Sequence, residues 1–151
     1  MFNRIFAYIS AVFAVLFFTT LALVVPGPRQ LPAMDIHNAR ATLTSAEWTN
    51  NNGRPWSHTA PTPTSAAFTV APNTILVLSD SPSWPCPRTV TVTMRNTTTN
   101  TNVAVRTAAC GNPYAPQTRG QFIITVRVDM RSFNNWMGNG HAIYTLAFSV
   151  A

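Results

Sequence analysis

Three histidines, two cysteines and four acids carry most of the ready chemistry in this 151-residue chain. The histidines are His37, His58 and His141. None has another His or Cys three or four residues away, so no zinc-type spacing is present. His37 stands near Met34 and Asp35, ligand types that copper accepts. Ordinary polar loop residues account for that trio more simply. The acids Asp35, Glu47, Asp80 and Asp129 are scattered, whereas glycoside hydrolysis needs two carboxylates converging on one bond. There is no Gly-x-Ser-x-Gly elbow and no Gly-rich phosphate loop. The expectation is a protein that is not an enzyme and uses no cofactor and no metal ion.

Cys86 and Cys110 flank a β-hairpin in the sequence pattern. Pairing Val92 with Val105 and Met94 with Val103 brings the apolar residues of two strands together. Continued outward, that register sets Cys86 opposite Gly111 and Cys110 opposite Pro87, so a disulfide between Cys86 and Cys110 is expected. Such a bond persists in oxidising compartments and points outside the cytoplasm. Two buried thiols or a redox pair are the alternatives, but a Cys-x-x-Cys spacing is absent.

Before these elements stands an apolar run, Ile5–Val25, without charge, Gly or Pro. At about 1.5 Å per residue a helix of that length spans roughly 30 Å, a hydrocarbon core. Pro26-Gly27-Pro28 would end it. A cleaved signal peptide is the competing reading. A secretory apolar region is usually shorter, and the best small-x-small triplet, Thr20-Leu21-Ala22, lies inside the run. A retained single-pass anchor over residues 1–25 is expected, with its N-terminus cytoplasmic and the remainder periplasmic or extracellular. Ala7 and Ala11, and Ser10 and Ala14, lie four apart and would let a neighbouring helix approach closely. The run holds no His, Asp, Glu, Lys or Arg, so packing against the bilayer and other helices is its role.

Residues 26–66 are rich in Pro and contain Asn50-Asn51-Asn52-Gly53. They read as an extended strap or linker, docked through Trp48 and Trp56. Arg40–Trp48 fits either a short strand or a turn of helix. From residue 67 the hydrophobic period becomes two. Strands are expected at 68–70, 74–79, 89–95, 102–107, 122–130 and 142–150. Ile75-Leu76-Val77-Leu78 reads as a strand buried on both faces. Setting Val126 opposite Leu146 puts Phe122, Ile124, Val126, Val128 and Met130 on one face with Ala142, Tyr144, Leu146, Phe148 and Val150. Short strands joined by polar turns indicate a mainly β protein, an antiparallel immunoglobulin-like β-sandwich over residues 67–151 behind one N-terminal transmembrane helix.

The connection between the last two strands, Arg131 to His141, is longer than a hairpin needs. It carries Arg131, Phe133, Trp136 and Met137, a set suited to contact with a protein or the membrane interface. Capping of the core by Phe133 and Trp136 is the alternative. The formal net charge is +6 although only 9% of residues are charged, against about 25% in typical domains. Every basic residue is Arg, and they are spread along the chain. That spread argues against nucleic acid as a partner. It suits acidic protein surfaces or lipid head groups.

These features point to a membrane-anchored accessory or structural subunit of a larger membrane protein complex, respiratory or photosynthetic complexes being natural hosts. The helix would pack on other membrane subunits and the β-domain would clamp neighbours. A binding module for an anionic ligand or polymer, or a pilus or virion structural protein, are the alternatives.

Overall fold

A computed structural model describes Leu31 and residues 33–49, 55–81, 88–108, 111–131 and 139–151. Within them the protein is mainly β and its sheets are antiparallel apart from one short parallel pair. No helix among the described residues is long and apolar enough to cross a membrane, and the run Ile5–Val25 lies outside them.

The small sheet is built from β1 (Ala33–Ile36), β2 (Ala39–Arg40) and β6 (Leu78–Ser81), in the order β2-β1-β6. His37 and Asn38 form the β1–β2 turn with φ of 50° and 65°. Two consecutive left-handed residues are what a tight hairpin turn requires, and Asn tolerates that conformation well. The turn sets Asp35 opposite Arg40, whose guanidinium Nε lies 2.7 Å from Asp35 Oδ1. Met34 and Ile36 point the other way, into the core.

The large sheet runs β4 (Pro55–Thr59), β3 (Thr42–Thr49), β10 (Asn139–Val150), β9 (Gly120–Arg131), β7 (Arg88–Asn96) and β8 (Asn102–Val103). β5 (Thr69–Val70) adds in parallel beside the end of β10. One difference from the expectation concerns its first half: residues 33–49 and 55–59 contain β1 to β4 rather than forming a strap. Of the two forms open to Arg40–Trp48, the structure has strand. The buried set Thr44, Ala46 and Trp48 keeps a period of two. Pro55 is compatible with this because it opens an edge strand, where a missing N–H costs no ladder bond. Residues 60–68 run from β4 to β5 without a strand of their own, pinned by Ala60 N–H to Thr44 O and Ala67 N–H to Ala147 O, each at 2.8 Å.

The β9–β10 pair places the ten alternate residues on one face, as the pattern requires, but in a register two residues away. Val126 faces Tyr144, and Leu146 faces Ile124. A shift of two preserves which side chains point inward, so the hydrophobic pattern is satisfied by both registers. The observed one pairs both strands along their full length, from Gly120↔Val150 to Arg131↔Asn139. Arg131 therefore ends β9 and His141 lies within β10, leaving residues 132–138 to join them.

Both sheets feed one hydrophobic cluster: Met34 and Ile36 from the small sheet meet Met94, Phe122, Ile124, Val126, Tyr144, Leu146 and Phe148 from the large one. Phe148 sits between Phe122 and Phe68, with ring centroids 5.8 and 5.5 Å away. Burial of each such ring contributes about 1.5–3 kcal/mol. Leu76 is also fully buried, but Ile75 and Val77 are 42% and 52% exposed. The stretch 75–78 is thus buried on one face only, a correction to its reading as a strand enclosed on both.

Candidate functional site

β7 and β8 pair as Met94↔Val103 and Arg95↔Asn102, the register expected from the sequence. Asn96 caps the turn between them. Its Oδ1 accepts from Thr98 N–H at 2.9 Å and from Thr99 N–H at 3.1 Å. The pairing does not continue outward as the cysteine argument supposed. After Val103 the chain turns to a different partner: Tyr114 N–H donates to Arg106 O at 2.8 Å, Thr107 bridges Pro113, and Ala108 N–H donates to Asn112 O at 2.7 Å. Cys86 and Cys110 themselves lie outside the described residues.

This second hairpin opens a cleft of about 310 Å³ between residues 103–106 and 114–118. Continuing the Thr107↔Pro113 register places Ala104 opposite Pro116. Proline has no N–H, so the next ladder bond to the Ala104 carbonyl cannot form and the two segments part. In an extended chain backbone groups alternate in direction. The N–H and C=O of Ala104 therefore point to the same side as the Arg106 carbonyl, into the cleft. The backbone of Ala104 makes no hydrogen bond to another described residue. β8 is the last strand of the large sheet, so this is an unfilled sheet edge.

Ala115 forms an apolar floor, 2% exposed. Arg106 stands at the rim with its guanidinium carbon 5.3 Å from the Tyr114 ring centroid, a cation–π geometry. Arg106 Nη2 also donates to Asn73 Oδ1. Asn73 is held at φ 61°, and its neighbour Thr74 is tied by N–H and hydroxyl bonds to Ala71 O. One N–H of the guanidinium is thus used for positioning. The remaining donors can meet a carboxylate, which a planar Arg binds through two parallel bonds.

The open face of the large sheet brings together residues that are distant in sequence. Ser57, Glu47, His141, Asp129 and Thr89 form one transverse row over five strands. Arg127 occupies Asp129: its Nε donates to both carboxylate oxygens at 3.0 and 3.1 Å, and Nη2 lies 2.9 Å from Oδ1. The hydrogen bond to Asp129 is the main reason the Arg127 pKa is raised above its ordinary value. No group of three or more His, Cys, Asp or Glu set to hold a metal ion occurs among the described residues. The Met34, Asp35 and His37 trio is dispersed: Met34 is buried, Asp35 pairs with Arg40, and His37 packs 5.1 Å from Phe68.

Trp48 and Trp56 face each other across β3 and β4. They belong to the large sheet itself rather than to a strap laid over it. Trp48 is buried in the core cluster, and Trp56 stacks on His58 with centroids 6.1 Å apart. Arg131 pairs through its backbone with Asn139. Phe133, Trp136 and Met137 lie outside the described residues, as do Ala7, Ser10, Ala11 and Ala14. Sequence reasoning passed over the cleft. Its signal was the pair Pro113 and Pro116 around Tyr114, just where a strand partner for 104–106 was needed.

Compared with known proteins, the chain matches no family model, no curated protein and no solved structure.

Proposed function

We propose that the chain is a non-enzymatic interaction subunit of a larger membrane assembly. Residues 1–25 would anchor it, with small residues Ala7, Ser10, Ala11 and Ala14 packing on other subunits. The β-domain, an immunoglobulin-like sandwich, would lie on the periplasmic or extracellular side, stapled by Cys86–Cys110, and would hold neighbouring proteins. The single observation that carries this reading is the unfinished β8 edge with its cleft. Exposed backbone edges are normally shielded because they recruit other strands. The half-exposed Ile75 bridges Tyr114, which lines the cleft. It adds apolar surface of the kind that partners cover.

A second reading is a binding module for an anionic ligand or polymer. Arg106, fixed by Tyr114 and Asn73 at the rim of the cleft, favours it. Extraction in mild detergent followed by native mass spectrometry tests the main proposal. Co-migration with other membrane proteins is the expected result. A lone monomer near 16.5 kDa plus detergent would overturn it, and homo-oligomeric fibres or shells would replace it with a pilus or virion role.

A further inference from the structure

We propose that the cleft beside β8 takes an extended acidic segment of another protein, which adds to the sheet edge as a strand through Ala104 and sets a carboxylate on Arg106. The inference rests on the interaction-subunit reading and names the chemistry of the partner. Three observations converge on it. Ala104, which lines the cleft, has an N–H and C=O that no other described residue uses, the donor–acceptor pair that an incoming strand needs. Pro116, placed opposite it, cannot supply the missing donor from within the fold. Arg106 lies two residues along the same extended stretch. A side chain on the incoming strand that points towards the rim would therefore meet the guanidinium.

The acidic character follows from charge. The chain carries +6, and Arg106 is exposed, its partners among the described residues being a neutral amide and an aromatic ring. The chain has four acids. Asp35 and Asp129 are paired with Arg40 and Arg127. Asp80 lies in β6, paired with Met34 of β1, and Glu47 on β3 stands well away in the strand order from β8. All four acids are thus held in strands of this fold, and the proposed segment is taken from another molecule. The cavity volume lies at the small end of ligand-sized sites, so only a short stretch is gripped there.

Fluorescence anisotropy on the full chain in detergent micelles, with a fluorescein-labelled, end-capped peptide of alternating Thr and Glu, tests this. The peptide is expected to bind and to weaken as salt rises from about 0.05 to 0.5 M. Arg106→Gln should weaken binding about tenfold, the scale of one charged hydrogen-bond pair. Ala104→Pro should do likewise by removing the edge N–H. N-methylation of alternate peptide amides should abolish binding, and this arm does not depend on how any variant folds. Arg127→Gln, on the open face of the large sheet, should leave binding unchanged. Failure of the peptide to bind overturns the proposal. So does equal binding to wild type, Ala104→Pro and Arg106→Gln, or binding that survives N-methylation. Whether the extracted chain travels with other proteins is read separately, so the wider reading can stand when this one falls.

Discussion

Gly140 offers the sharpest test of how β3 and β10 are held together. It sits in β10 directly opposite Trp48 of β3. A Cβ built at Gly140 would collide with the carbonyl oxygen of Glu47 and would lie 2.6 Å from Trp48 Cε3 and 2.9 Å from Trp48 Cα. Two of those three atoms are backbone, so a rotamer change cannot relieve the contact. Glycine in a strand ordinarily costs about 0.5–1 kcal/mol relative to alanine, so an open site would gain stability from Gly140→Ala. Here overpacking should dominate, at about 1–3 kcal/mol of net loss. Urea unfolding of the full chain in micelles, followed by Trp fluorescence, should show a lower midpoint with an unchanged slope. Melting should fall by about 2–4 °C per kcal/mol for a chain of this size. Gly111→Ala is the control. Nothing lies within 4 Å of its Cβ, but φ is 76°, so its cost is only that of a left-handed residue, about 1–2 kcal/mol. The double variant Trp48→Leu with Gly140→Ala should lose less than the sum of the singles, because the ring contact is shared. A neutral or stabilising Gly140→Ala would refute the reasoning and with it the close approach of the two strands.

Burial raises the Tyr144 pKa from 10.0 to about 12. Between those values the folded state holds a proton that the unfolded state has lost. Stability is therefore fully present below pH 10 and falls by about 2–3 kcal/mol as pH rises to 12. Chemical denaturation across that range should show the slope, and Tyr144→Phe should remove it. Phe148→Ala removes a fully buried ring packed between Phe68 and Phe122 and should cost about 3–5 kcal/mol in urea unfolding. Asn96→Ala takes away the acceptor for the Thr98 and Thr99 amides. It should cost about 1 kcal/mol, with faster amide exchange confined to residues 97–101.

The strands that alternate strictly were readable because a period of two maps directly onto two faces. β7, β9 and β10 lie where the pattern puts them, and Met94↔Val103 was recoverable from matching apolar residues alone. What alternation cannot supply is absolute register. Val126 opposite Tyr144 and Val126 opposite Leu146 bury the same side chains, and the observed register is the one that pairs both strands along their full length. The early strands were hidden for a different reason. Proline density reads as loop when counted, yet Pro55 begins an edge strand and Pro61 and Pro63 follow its end. Position within the sheet, not number, decides what a proline does. Ile75 and Val77 mislead in the opposite sense, since an apolar run is indistinguishable by period from a strand buried on both faces until its neighbours are known.

The candidate site lay deeper still, because it is made of backbone. No side-chain motif announces an unpaired N–H and C=O. They arise when one segment expects a ladder partner and the partner carries proline at the matching place. Pro116 alone would be only a turn residue, and Ala104 alone only a small exposed one. Extended by three residues, the Thr107↔Pro113 register brings them opposite each other and makes both part of an edge. An edge left open usually carries a deterrent such as an inward charge, a bulge or a covering loop. Here the charge lining the cleft is Arg106, held by Tyr114 and Asn73. A cation in that position repels a second copy of the same basic chain and attracts an acidic strand. One residue thus discourages self-association at the edge and selects the partner for it, so Arg106→Glu should reverse the preference, weakening the Thr–Glu peptide and admitting a Thr–Lys one.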